Sequence, residues 1–435
     1  MFSGGSTMTT APRRIAVIGG VRIPFCRSNT LYADLSNLEM MTTVLDGLAE
    51  RFDLGGVHID EVTGGSVVTH SKDWNLAREA VIGSRLAPST PGITMMQACG
   101  TSLQAAMGIG AKIAMGDIEC GIAIGSDTTS DAPIVVGKRL SGRLVQAQQA
   151  RSAGQRLAAF KGFSPRELVP LPPSVAEPRT GLSMGQHCEL MAQHWRIPRA
   201  AQDQLALESH AKAAEAYRTG FLDDLIVPAA GVWRDNNLRP DMTIERIAEL
   251  RTAFEKSEKG SLTAANSTPL TDGAAGVLLA SEAWAAGRRL EPQAFLTCSQ
   301  TAANDFVAGE GLLMAPTIAV SKLLDRAGLT LQDFDFYEIH EAFAAQVLAT
   351  LAAWEDADYC RTRLGKAEPL GSIDRGKLNV MGSSLAYGHP FAATGARIVG
   401  LLAKLLARRG GRGLISICTA GGMGVAAILE SARRT

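Results

Sequence analysis

Four short stretches of this 435-residue chain place a reactive side chain where a secondary-structure element begins or ends. They are "QACGTS" with Cys99, "YEIHEAFA" with His340, "YGHPFAATGAR" with His389 and "SICTAGGMG" with Cys418. Each alone is ambiguous, because a lone cysteine commonly packs as a small hydrophobe and a lone histidine as an ordinary polar residue. Together they supply the parts of covalent acyl chemistry: a thiol nucleophile, an imidazole to take its proton, and a second thiol and imidazole for proton shuttling. Backbone N–H donors at the turns would hold a developing oxyanion. Gly421 and Gly422, just past Cys418, let a ligand approach the backbone closely.

Other signals do not hold up. "GMGVAA" from Gly422 matches a dinucleotide fingerprint in letters but runs into a strand-like segment rather than a helix. "HEAFA" begins like a zinc-protease motif, but position 344 is alanine, so this motif binds no metal and none is expected. The stretch 138–166 carries Lys138, Arg139, Arg143, Arg151, Arg156, Lys161 and Arg166 with almost no acid. Most of it reads as a solvated face; part of it could meet a phosphorylated substrate, a partner subunit or a membrane surface.

The elements that must position these groups follow from periodicity. "RRIAVIGGVRIP" and "CGIAIGS" are continuous apolar runs, the pattern of strands covered on both faces, and Met40, Val44, Leu45 and Leu48 share one face of a helix between them. "GITMMQA" is a short strand; beyond Cys99, residues Leu103, Ala106, Met107, Gly110, Ile113 and Ala114 fall on one helical face. Cys99 thus sits at a strand-to-helix turn, where the helix dipole and free N–H groups favour thiolate. His389, with Pro390 at an N1 position, is expected at a second helix start.

From about residue 131 to 260 the chain leaves this texture. The segment is basic, then proline-rich ("SPRELVPLPPSVAEPR"), then forms a helix closed by Gly220. The last third returns to strand and helix: "FDFYEIH", "EAFAAQVLATLAAW", a helix with Ile398, Leu401, Leu402 and Leu405 on one face, and the strands "GLISICTA" and "GVAAILE". The two halves read as a duplicated α/β domain.

Lys+Arg and Asp+Glu both number 43, a net charge of +0 that provides no global attraction to nucleic acid or anionic membrane. The 7 cysteines are scattered without a C-x-x-C pair, as in a reduced compartment. "MFSGGSTMTTAPRR" lacks the apolar core of a signal peptide, and no apolar run approaches a transmembrane length, so a cytoplasmic protein is expected.

The motifs, in this order from Arg13 to the C-terminus, resemble the thiolase superfamily. "QACGTSLQAA" resembles its nucleophile motif, "GHPFAATGAR" its histidine motif and "CTAGGMG" its C-terminal cysteine turn; "TAANSTPLTDGAA" and "GLSMGQHCELMA" resemble its coenzyme A contact segments. "HEAFA" in place of the commoner "NEAFA", with the long insert before "GSSLAYGHP", is similar to the thiolase (beta) subunit of fatty-acid β-oxidation trifunctional-type complexes. The resemblance implies a duplicated βαβαβαββ fold in a five-layer α-β-α-β-α arrangement with an inserted loop domain. The expected units are an N-terminal half over 13–130 and 260–287, an inserted CoA-binding and partner-contact loop domain over 131–259, and a C-terminal half over 288–435.

The implied reaction is thiolytic cleavage of 3-ketoacyl-CoA by CoA, with no dissociable cofactor because CoA is a substrate. Carried over by resemblance, Cys99 is the acylated nucleophile, His389 its base and an oxyanion donor, Cys418 the second acid/base, and His340 stands where asparagine usually orients a water. The backbone N–H groups of Cys99 and Ala420 would form a second oxyanion hole. Met184 and Phe343 would line the acyl pocket; Ala265 and Thr268, the latter followed by Pro269 rather than glycine, would meet CoA. A biosynthetic acetoacetyl-CoA thiolase and, in another class, a non-catalytic acyl-CoA or lipid carrier are the rival readings. The family's assemblies imply a homodimer or dimer of dimers, with a possible hydratase/dehydrogenase alpha subunit as partner.

Overall fold

The structure, a computed structural model, describes residues 12–171, 174 and 176–433. The leader reading of residues 1–11 and part of the proline-rich stretch (172, 173 and 175) lie outside the described residues. The strands are β1 (Ile15–Arg22), β2 (Cys26–Arg27), β3 (Glu61–Gly65), β4 (Gly92–Thr94), β5 (Cys120–Asp127), β6 (Thr271–Ser281), β7 (Ala294–Ala303), β8 (Phe336–Ile339), β9 (Arg412–Thr419) and β10 (Met423–Ser431). They form a 10-stranded mixed sheet in the order β4-β3-β5-β6-β1-β7-β10-β9-β8, with β2 beside β6. The antiparallel β1·β7 pair joins two wings, one from each half of the chain.

The helices of the N-terminal half are α1 (Asn37–Arg51), α2 (Leu76–Gly83) and α3 (Thr101–Met115). The excursion contributes α4 (Lys138–Gln149), α5 (Ala153–Ala158), α6 (Met184–His194), α7 (Arg199–Arg218) and α8 (Ile244–Ala248). Then follow α9 (Glu282–Gly287), α10 (Ala315–Ala327), α11 (Ala344–Glu355), α12 (Ala357–Arg363), α13 (Ser384–Tyr387) and α14 (Thr394–Arg409).

Strand alternation sorts these into layers, because successive side chains point to opposite faces. On the first wing, Ala16, Ile18, Ile122, Ile124, Leu278 and Ala280 pack against α1 and α2. Their neighbours Val17, Ala123, Val277 and Leu279 face the other way, into a core with α3 and α14. On the second wing, Ile415, Ile417, Val425 and Ala427 enter that same core, while Leu414, Ala426 and Ile428 pack against α10 and α11. The order is therefore helices, sheet, the shared α3/α14 layer, sheet, helices: the five layers expected. Sandwiched between two wings, α14 is buried at every position from Thr394 to Leu406, beyond the one-sided stripe its leucines suggest.

The excursion is less uniform than its composition implies. Its first helices are exposed, with Leu140 the buried residue of α4, and α5 buries none. Arg143 is structural rather than solvated: it pairs with Glu167 at 2.8 Å and donates to the carbonyls of Ala159 and Lys161 at 3.0 and 2.8 Å. The later part is keyed into the scaffold. Ala213, Ala216 and Tyr217 of α7 lie in the shared core, and Asp235 receives both Arg22 guanidinium N–H donors at 2.6 and 2.7 Å.

Candidate active site

The chain leaves β4 through a turn in which Ala98 adopts φ +46°, a left-handed conformation that costs a non-glycine residue on the order of 1 kcal/mol. The Thr101 hydroxyl clamps the turn, accepting from the Gln97 amide at 2.9 Å and donating to the Ala98 carbonyl at 2.7 Å. Gly100 caps α3, so Cys99 stands immediately before the helix, as expected.

His389 reaches Cys99 from the far half of the chain. Its Nε2 lies 3.0 Å from the Cys99 Sγ, its Nδ1 lies 2.6 Å from the Thr394 hydroxyl, and its amide donates to the Thr271 hydroxyl at 2.7 Å. The expected helix start is displaced: Pro390 caps a 3₁₀ turn at Phe391–Ala393, and α14 begins only at Thr394. That turn is locked to the nucleophile's helix by Ser102, whose hydroxyl donates to the Ala392 carbonyl at 2.5 Å and accepts from the Ala396 amide at 2.8 Å. Asp127 holds the turn from the other side, accepting from the Ala392 amide at 2.8 Å. β5 approaches so closely that a Cβ on Gly125 would sit 2.0 Å from the Ala392 oxygen.

His340 follows β8, its ring centroid 4.2 Å from that of His389. Nδ1 is 2.9 Å from the Ser384 hydroxyl, whereas the fully buried Nε2 has no partner among the described residues. Behind it lies a buried ionic group that sequence reasoning missed. Arg397 donates to the hydroxyls of Ser383 and Ser384 at 3.2 and 3.0 Å. Glu341 accepts from Ser209 and Asn379, both at 2.7 Å. Neither Glu338 oxygen has a hydrogen-bond partner among the described residues, and burial pushes the carboxyl up to about 8 despite the pull of Arg397.

Cys418 ends its strand inside an apolar cluster with Cys188, Met191, Ala342 and Phe343, against which Met184 packs. Burial raises its thiol pKa, and the nearby Cys99 and Cys188 sulfurs raise it further. Beyond it, Gly421 donates to the Glu177 carboxylate at 2.9 Å, a tether from the excursion with no local signal.

Burial pushes the Cys99 thiol up to about 12, opposed by hydrogen bonds from the backbone N–H groups of Ala420 and of Cys99 itself. The expected bias towards thiolate is therefore overturned. The turn does supply N–H donors, but the surrounding layers exclude the water that would solvate a free anion. Burial, then the Arg397 charge, lowers His389 to about 3, so the resting pair is a thiol and a neutral imidazole. Burial likewise depresses His340, with His389 and Arg397 adding to it.

The remaining sequence candidates lie close by in the fold. Thr268 donates from both its amide and its hydroxyl to the Ala342 carbonyl, each at 3.0 Å, and Ser267 bridges to Phe343. Ala265 is buried, its amide donating to the Thr263 hydroxyl at 3.2 Å.

Two family models match the chain: the thiolase N-terminal domain over residues 15–283 and the thiolase C-terminal domain over residues 290–431. The chain belongs to the thiolase family. A 3-ketoacyl-CoA thiolase of Shewanella baltica (strain OS185) is 42% identical over 424 residues, covering 96% of this chain and 97% of the relative; that of Shewanella sediminis (strain HAW-EB3) matches equally. Among solved structures, the Bacillus anthracis acetyl-CoA acetyltransferase superposes with a TM-score of 0.80 at 29% identity, covering 97% of this chain and 100% of that one. Human mitochondrial 3-ketoacyl-CoA thiolase gives a TM-score of 0.79 at 25% identity over 97% and 99% of the two chains. In this thiolase, Cys99 comes from the first matched domain and His340, His389 and Cys418 from the second. Among the described residues no helix is long and apolar enough to cross a membrane.

Proposed function

We propose that this thiolase cleaves 3-ketoacyl-CoA with CoA, yielding acetyl-CoA and a shortened acyl-CoA through an acyl-Cys99 intermediate. The observation that carries this reading is the 3.0 Å contact between the Cys99 sulfur and His389 Nε2, with the amides of Cys99 and Ala420 directed at the sulfur. The curated 3-ketoacyl-CoA thiolases at 42% identity support the same substrate class.

His389 takes the Cys99 proton as sulfur adds to the 3-keto carbon, and the amides of Cys99 and Ala420 hold the resulting oxyanion. The bond between the 2- and 3-carbons then breaks. Its electron pair passes to the acetyl-CoA enolate, whose thioester oxygen is held by His389 and by a water oriented at His340. Cys418 protonates that carbanion and acetyl-CoA leaves. Cys418 then takes the proton of the incoming CoA thiol, whose sulfur attacks the acyl-Cys99 thioester. The shortened acyl-CoA departs and Cys99 recovers its proton from His389. Apart from that one water, every group in the proposed cycle is a side chain, an amide or a substrate, so the proposal calls for no dissociable cofactor.

Met184 and Phe343, in the apolar cluster with Cys418, would face the acyl chain, and Ala265 and Thr268 the pantetheine arm. Further parts of the proposal are a cytoplasmic homodimer or dimer of dimers and a docking role for the exposed α4–α5 surface towards a hydratase/dehydrogenase subunit. The deciding experiment is peptide mass spectrometry after incubation with acyl-CoA. An acyl adduct on Cys99, with thiolysis abolished in Cys99→Ala, is the expected result; an active Cys99→Ala enzyme would refute it.

A further inference from the structure

We propose that Cys99, His340 and His389 form a binding site for a soft divalent cation, zinc above all, and that the bound ion blocks the nucleophile. The inference rests on geometry and stands apart from the substrate assigned above. One ligand atom from each residue lies within 4.8 Å of the others, and all three side chains are buried. The sulfur and His389 Nε2 are already 3.0 Å apart. Tetrahedral zinc, with bonds of about 2.3 Å to sulfur and about 2.0–2.1 Å to nitrogen, sets its ligand atoms roughly 3.3–3.6 Å apart. Reaching that spacing opens the Cys99–His389 contact by about 0.5 Å and draws any wider pair in from at most 4.8 Å.

A second observation concerns one of these three residues. His340 Nε2 is fully buried and has no hydrogen-bond partner among the described residues. Its Nδ1 is held by the Ser384 hydroxyl at 2.9 Å, and His389 Nδ1 by the Thr394 hydroxyl at 2.6 Å. A hydroxyl can accept an N–H as readily as donate. Each can therefore keep the proton on Nδ1 and leave the Nε2 lone pair free, the outer-sphere arrangement that metal-bound histidines use. Two imidazoles and a thiolate suit zinc rather than magnesium or calcium, which prefer oxygen ligands. Ligation expels one proton, from the Cys99 thiol, and leaves a fourth position for water. Asparagine at 340 would offer an amide in place of an imidazole, so the susceptibility follows from this histidine. No motif spacing announces the site, because residues 99, 340 and 389 meet only in the folded chain.

The test uses the metal-stripped full chain. Zinc is titrated against a chromophoric chelator, cobalt(II) is added separately, and Cys99 alkylation by iodoacetamide is followed by peptide mass spectrometry. One equivalent of zinc should bind, slow Cys99 alkylation at least about tenfold and inhibit thiolysis, and cobalt should show a thiolate charge-transfer band. His340→Asn should weaken zinc binding by about tenfold or more, the scale on which metal sites respond even to lost outer-sphere partners. Unprotected Cys99 at saturating zinc overturns the proposal, and this arm needs no variant. So does undiminished zinc binding by Cys99→Ser or by His340→Asn with a wild-type circular dichroism spectrum. Thiolysis that requires zinc would overturn the inhibitory role. Chelator-treated protein that binds zinc at Cys99 but turns over no 3-ketoacyl-CoA would instead sink the substrate assignment and leave the metal site standing.

Discussion

His389 Nε2 lies 3.0 Å from the Cys99 sulfur, yet burial biases both partners towards their neutral forms. Burial lifts the thiol to about 12 and, with the Arg397 charge, lowers the imidazole to about 3, so no ion pair is formed in advance. Proton transfer is favourable only as charge moves on to the substrate oxygen and its amide donors.

Alkylation of Cys99 in the substrate-free protein should therefore track a vanishing thiolate fraction. Between pH 7 and 10 the rate with iodoacetamide should rise about tenfold per pH unit without levelling, because the folded thiol pKa of about 12 lies above that window. A plateau below pH 8 in quenched-flow mass spectrometry would reveal a preformed thiolate–imidazolium pair.

His340, whose ring lies beside that of His389, presents a buried Nε2 that has no partner among the described residues. Truncation by His340→Ala should lower kcat by roughly 100-fold or more, the scale of losing one donor to an oxyanion or its water. His340→Asn restores a donor and should recover to within about tenfold of wild type. Equal losses in both variants, measured by steady-state kinetics, would rule out a hydrogen-bonding role.

Glu338 has a folded-state pKa of about 8, raised by burial above the ordinary carboxyl value. Between those two values the unfolded chain releases a proton that the folded chain keeps. The contribution to stability is thus complete below about pH 4 and is lost as pH rises through 8. Glu338→Gln removes the dependence, and its unfolding free energy relative to wild type should rise from pH 5 to pH 8 by roughly 3–4 kcal/mol, read from denaturant melts at each pH. A constant difference across that range would mean that Glu338 titrates normally.

Gly125→Ala should damage stability and turnover together. The added Cβ would fall 2.0 Å from the Ala392 carbonyl, which also accepts from Ser102, so the whole His389 turn must shift. Displacement of a catalytic base by about 1 Å lowers rate on the order of 100-fold. Wild-type kcat with an unchanged melting curve would show that the turn yields freely.

Periodicity made the scaffold legible where elements are buried on two faces, as in β1 and β5, or carry an apolar stripe, as in α3. The reactive quartet was legible because Cys99, His340, His389 and Cys418 each interrupt such an element at its end. What the letters concealed are groups whose function depends on distant neighbours. Arg397 lies inside a leucine-rich helix and Glu338 inside "FYEI", and nothing local indicates that these two titratable groups share one interior. Glu177 reaches the Gly421 turn across 244 residues. The thiolate expectation failed for the same reason: a helix terminus is a local property, whereas desolvation by opposing layers is not.

The shared middle layer has a bearing on how such a chain can be divided. Since α3 and α14 line one interior together with strands from both wings, neither half on its own possesses a closed hydrophobic centre. Fragments severed between the wings would each display a greasy helix to solvent and clump when produced singly, regaining solubility and turnover only when co-synthesised. The duplication visible in the architecture is thus a union that can no longer be dissolved.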